Sequence, residues 1–178
     1  MNAYEIDALV TGLRKTHGSS DPFILAGNEG FKLFYKELGG LLGFYCSVLG
    51  TGVICLNNRI DDDVARMVAA HELGHGLLHS GTDAGSICPD YSLWSSKSRT
   101  EYEANAFAAH LLIPTEKLLS RLDELACDPG STGDTPASLA AYFSCDENLL
   151  LIKIKELRRM GKRLKLPIDP DHMFLRSR

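Results

Sequence analysis

His71 and His75 stand four residues apart with Glu72 between them, in the run His71, Glu72, Leu73, Gly74, His75. On a helix, about 100° per residue puts the two imidazoles within about 40° on one face and about 6 Å apart along the axis, so both reach one metal ion. Glu72 projects to the side of that face, where it reaches a water on the ion rather than the ion itself. That suits a general base. A bound divalent ion brings the pKa of its water to about 7, and a carboxylate close by takes the proton as the oxygen attacks a carbonyl. The chemistry expected is metal-assisted hydrolysis of a peptide bond. A chance occurrence on an ordinary helix is disfavoured, because burying two histidines and a glutamate without partners is costly.

The elements around this run must position it. Asp61, Asp62 and Asp63 put negative charge where the N-terminus of a helix from about Asp62 to His79 would favour it. Val64, Met67, Val68, Ala69, Ala70, Leu73, Leu77 and Leu78 fall on nearly every face, which predicts a buried helix. Gly74 and Gly76 inside it each cost about 1 kcal/mol relative to alanine. Close approach of another backbone, read as that of the sheet, explains them. Upstream, Ile6, Leu9, Val10 and Leu13 predict a first helix over 3–16, and Asp21 with Pro22 starts a short second one. Phe31–Leu38, Leu41–Leu49 and Val53–Asn57 are aromatic and β-branched runs between glycines, read as a small antiparallel three-stranded sheet. Residues 81–97 form a long aperiodic stretch beside the histidines, suited to a lid. Ser98 with Glu101 has the form of a capping box for a helix that stops before Pro114, and Thr115 can cap the next, through about Ala126. Ser138–Phe143 and Asp146–Met160 read as two helices joined by a tight turn.

Composition excludes several classes. The 178 residues suit one domain with a hydrophobic core, and neither a secretory leader nor an apolar run of about 20 residues is present, so no membrane span is expected and the cytoplasm is the expected location. Cys46, Cys55, Cys88, Cys127 and Cys145 are scattered and unpaired in spacing, as free thiols are. The net charge of −4 is uneven. From Lys153 onward nine basic residues face three acidic ones, a net of +6 that leaves −10 elsewhere. Such an end can touch nucleic acid or an acidic surface, or form a solvated helix face.

A catalytic zinc site needs a third protein ligand and an open fourth position. A metzincin would place a histidine six residues after His75, where this chain has Gly81. The run Glu101, Tyr102, Glu103, Ala104, Asn105 instead resembles the Glu-x-x-x-Asp arrangement of thermolysin-like gluzincins, which implies Glu101 as third ligand. Asn105, one turn on, is placed to hold the non-ligating nitrogen of a histidine. Glu103 stays open as the alternative ligand. His79, one turn past His75, suits an oxyanion or substrate contact, the orienting of a ligand, or simply the end of the helix. Tyr91 and Trp94 in the long stretch are candidates to reach the cleft or to anchor the loop. His110, about 180° from Glu101 on its helix, is read as structural, like His17 and His172 near the ends.

Together, Val53–Asn57, His71–His75 with Leu77, Leu78 and His79, and Glu101–Asn105 with Phe107, Ala108, Leu111, Leu112 and Pro114 resemble the ImmA/IrrE metallopeptidases of bacteria, phages and integrative elements. The resemblance covers roughly residues 20–125. It implies an enzyme that cleaves or inactivates a helix-turn-helix repressor in DNA-damage response or element transfer. It also gives 127–178 the look of a small helix-turn-helix-like appendage with a basic tail; Lys153, Lys155, Arg158 and Arg159 are placed to contact phosphates, but the first helix is short and base-reading side chains are scarce, so packing or repressor docking is the expected use.

The reading is an α+β protein: a metallopeptidase domain over 1–126 with the sheet packed on the buried active-site helix, then a helical appendage over 127–178. Zinc is the expected ion, with manganese possible for the same donor set. A non-proteolytic metal-binding regulator acting by association with a repressor or DNA is the competing class, and Glu72 speaks against it, since a structural site needs no general base.

Overall fold

The computed structural model describes residues 1–79, 86–89, 94, 98–127 and 136–164. In chain order these form α1 (Ala3–His17), α2 (Pro22–Asn28), β1 (Lys32–Lys36), β2 (Leu41–Val48), β3 (Thr51–Asn57), α3 (Asp62–Leu78), β4 (Ser86–Pro89), α4 (Arg99–Leu112), α5 (Thr115–Cys127), α6 (Pro136–Tyr142) and α7 (Glu147–Arg159). The class is α+β. Local chemistry sets the helix starts: Asn2 and Glu5 form a reciprocal capping box on α1, and Asp21, Asp61 and Asp146 cap α2, α3 and α7. Ser98 accepts from the Glu101 amide and so begins α4. Thr115 lies inside α5 rather than before it, one residue from the expected cap.

The sheet differs from the expectation. It has four strands in the order β1-β3-β2-β4 and is mixed, with β1 parallel to β3 and both other pairings antiparallel. β2 and β3 close a two-residue hairpin in which Leu49 and Gly50 both have positive φ, 50° and 77°, the turn whose twist suits a hairpin. With β3 on one edge of β2 and β4 on the other, β1 is left the free edge of β3. Residues 37–40 therefore cross over the end of β3. Asn57, the buried last residue of β3, fastens that crossing by donating from Nδ2 to Gly39 O at 3.2 Å and Leu41 O at 2.7 Å. β4 lies within the stretch read as a lid, and β1, the opposite edge, carries Lys32 and Lys36 as edge strands commonly do.

α3 runs through the middle of the protein, with β2 and β3 on one side and α4 on another, and α1 and α7 pack against α4. Residues from Ala65 to Gly76 are buried except Arg66. The two glycines explain how such a helix fits. A Cβ on Gly76 would stand 2.2 Å from Phe31 Cε1 and 3.1 Å from Tyr45 Cε2, at the sheet. A Cβ on Gly74 would meet Cα of Ala104 at 3.2 Å, so this glycine admits α4, not the sheet. Leu149, Leu150, Ile154 and Leu157 of α7 join the same apolar core as α3 and α4.

Lys153 overturns part of the charge reading. Its side chain is fully buried, with Nζ 2.8 Å from His110 Nδ1, so it contributes nothing to a basic surface. It falls on the α7 face that carries Leu149, Leu150 and Ile154. Arg159 pairs with Glu156 at 2.9 Å and also donates to the Tyr102 hydroxyl. The tail beyond 164 lies outside the described residues, as does Tyr91.

Candidate metal centre

The helix geometry of α3 puts the His71 and His75 rings together, Nε2 to Nε2, at 3.1 Å. α4 crosses at Gly74, between them, and its first turn delivers Glu101 from the other side. Glu101 Oε2 is 3.3 Å from His71 Nε2 and Oε1 is 3.2 Å from His75 Nε2. These are the three ligand groups that converge among the described residues, one atom from each lying within 4.8 Å of the others. Two nitrogens and a carboxylate oxygen facing one point form a donor set that fits a divalent transition ion, zinc included. Both imidazoles are buried, whereas the Glu101 side chain keeps 30% exposure, so the centre is approached from the Glu101 side.

Charge binds the three together. Burial alone would lower the His71 pKa, but its hydrogen bond to Glu101 and the charges of Glu72 and Glu101 outweigh that and raise it. Burial would raise the Glu101 carboxyl, and the two histidines instead hold it far below the ordinary carboxylate range. Glu72 is fully buried, and its charge is felt at His71. A buried carboxylate thus stands beside the three converging groups without being one of them.

The flanking residues sort by helical phase. Glu103, two residues from Glu101, faces away from the three-ligand cluster: its Oε2 is 3.0 Å from His79 Nε2, and its Oε1 takes Arg99 Nε at 2.8 Å and the Met1 amino group. Burial would raise the Glu103 carboxyl, but hydrogen bonds from the Met1 amino group, Arg99 and His79 hold it down to about 2. His79 lies on the Nδ1 side of His75, with Nδ1 to Nδ1 at 3.3 Å. Asn105 is fully buried one turn after Glu101 and helps raise His71, yet its two amide atoms and His71 Nδ1 fall outside hydrogen-bond geometry. The electrostatic contact fixes proximity, and the geometry rules out a formed bond. Trp94 sets its ring edge-on to His71 at 6.3 Å between centroids, so it reaches the centre. His110 is buried between Lys153 and Asp7, away from the ligands. The pairing of Glu103 with His79 was not read from the sequence, although His79 lies one turn past His75 and Glu103 two residues past Glu101, and their phases were the available signal.

The family model of the IrrE N-terminal-like domain (Peptidase_M78) matches residues 30–155. The chain is similar to metallopeptidase ImmA of Bacillus subtilis (strain 168), with 23% identity over 155 residues that cover 87% of each chain. It is also similar to the uncharacterized immunity region protein 2 of Bacillus phage phi105, 31% identical over 110 residues, which are 61% of this chain and 68% of the phage protein. Among the described residues no helix is long and apolar enough to cross a membrane.

Proposed function

The chain belongs to the Peptidase_M78 family of IrrE N-terminal-like domains, and from that premise we propose that it is a zinc-dependent endopeptidase acting in the cytoplasm on a helix-turn-helix repressor. The observation that carries the catalytic part is the convergence of His71, His75 and Glu101 from two helices, with Glu72 buried alongside. Similarity to a metallopeptidase, ImmA, and to a phage immunity region protein supports the regulatory part.

A zinc ion held by His71, His75 and Glu101 would supply Lewis acidity toward a peptide carbonyl and toward water. The remaining work falls to the chain. Glu72 takes the proton of the attacking water and passes it to the departing amine, so its carboxylate ends the cycle as it began. Burial of Glu72 and of the imidazoles excludes bulk water and strengthens each interaction. Asn105, fully buried one turn after Glu101, lies close enough to His71 to help orient it. β4, the sheet edge beside β2, offers backbone groups to an extended peptide.

The test is Glu72→Gln. The variant should hold as much zinc as the unmodified chain, while cleavage of a co-expressed helix-turn-helix repressor disappears. Cleavage that survives the change removes the proposed mechanism. Repressor inactivation that persists without cleavage favours regulation by association instead.

A further inference from the structure

We propose that His79 and Glu103 form a hydrogen-bond relay that fixes the tautomer and orientation of His75, making both positioning residues of the metal centre. This rests on the metallopeptidase reading and extends it to residues that hold no metal.

His75 turns Nε2 toward Glu101, 3.2 Å away, so its other nitrogen, Nδ1, must be satisfied elsewhere. The atom it meets is Nδ1 of His79, at 3.3 Å. Two imidazole nitrogens make a hydrogen bond only if one carries a proton and the other a lone pair. Which does which is decided one step further on, because His79 Nε2 lies 3.0 Å from Glu103 Oε2. A carboxylate accepts and does not donate, so a neutral His79 carries its proton on Nε2 and leaves Nδ1 as acceptor. His75 must then donate from Nδ1, which leaves the lone pair on Nε2, where a metal ligand needs it. The opposite assignment would put a proton on the ligating nitrogen. Each proton in the chain His75, His79, Glu103 has one place.

The supporting atoms are themselves held. Glu103 is nearly buried, and Arg99 Nε at 2.8 Å and the Met1 amino group occupy its Oε1, which leaves Oε2 for His79. His79 ends α3 with its amide bonded to His75 O at 2.9 Å, so its ring stays one turn above the His75 ring, centroids 5.3 Å apart. Outer partners of a ligating histidine commonly change metal affinity by about 10–100-fold when removed.

The experiment measures zinc affinity of the full chain by chelator competition, together with the long-range proton-nitrogen NMR signature of the His75 ring in the zinc form. His79→Ala should weaken zinc by about 10–100-fold and expose the His75 Nδ1 proton to rapid exchange. His79→Asn, which keeps an acceptor near the Nδ1 place, should recover most of that loss, and Glu103→Gln should cause a smaller one. Thermal unfolding of the metal-free variants tells a fold defect from a site defect. Zinc bound as tightly by His79→Ala as by the unmodified chain overturns the relay and leaves the metallopeptidase reading intact. Equal losses in His79→Ala and His79→Asn also overturn it, as does a zinc site that survives Glu101→Ala but not Glu103→Ala. An unmodified chain that binds no zinc overturns both.

Discussion

In a Gly74→Ala variant the new Cβ would stand 3.1 Å from Phe107 Cδ1 and 3.2 Å from Cα of Ala104. Carbon atoms pack comfortably at about 3.5–4.0 Å, so the neighbours must withdraw by roughly 0.3–0.8 Å. Phe107 can turn slightly. Cα of Ala104 is backbone and moves only if α4 moves. Glu101 is one turn earlier on α4, and its carboxylate is 3.2 Å from His75 and 3.3 Å from His71, so a helix displaced by several tenths of an ångström carries the third ligand outward. Metal sites accept ligand errors of about 0.2 Å. Stability responds less. Overpacking costs about 1–3 kcal/mol, and alanine in a helix interior returns about 1 kcal/mol relative to glycine, leaving a net loss of about 0–2 kcal/mol. The expected result is a folded protein whose zinc affinity has dropped at least about tenfold, or about 1.4 kcal/mol. Urea unfolding of the metal-free protein and chelator competition measure the two quantities separately. Gly12→Ala is the control: Gly12 lies in α1 with nothing within 4 Å of a Cβ, so it should stabilise by up to about 1 kcal/mol and leave zinc binding alone. A folded Gly74→Ala protein that binds zinc as the unmodified chain does would refute the claim that this glycine sets the spacing of the ligands.

Two further outcomes test the frame. Burial is the main cause that holds Lys153 down to about 7 from 10.5, with Asp7, Arg14, Glu116 and Glu156 acting on it and His110 bonded to it. Between those values the unfolded chain binds the extra proton, so stability should rise with pH, by up to about 2.7 kcal/mol from pH 7 to 9. Lys153→Met should remove that rise in urea unfolding at the two pH values, and an unchanged slope would show that Lys153 is not the group responsible. Asn57→Ala removes both bonds to the β1–β2 crossing and the acceptor for the Arg59 amide, and should cost about 2–3 kcal/mol. A loss below 0.5 kcal/mol, on the order of ordinary surface changes, would mean the crossing holds itself.

What could be read from the sequence divides by range. α3 was expected over Asp62–His79 and runs over Asp62–Leu78, because its aspartate cap and its apolar pattern are local signals. The ligand run follows from that helix alone. Strand order did not follow. Nothing within Phe31–Leu38 tells β1 to prefer the far edge of β3, since the choice depends on β4 filling the other edge of β2. The clue was Asn57, a buried amide closing an apolar strand, which needs carbonyls that a simple three-stranded meander would not bring to it.

The same division separates the residues placed well from those placed badly. Lys153 was counted as surface charge because charge was tallied by composition, yet Leu149, Leu150, Lys153, Ile154 and Leu157 share one helical stripe, and periodicity outranked residue type. In α4 two residues rotate the helix by about 200°, which turns Glu101 toward His71 and His75 and Glu103 toward His79. What phase could not say is that the second carboxylate has a use. Because α3 and α4 are both buried where they cross, every polar side chain at the crossing must find a partner or carry a desolvation cost. That requirement pairs Glu103 with His79, and it makes the support of the metal centre a consequence of the same close packing that Gly74 allows.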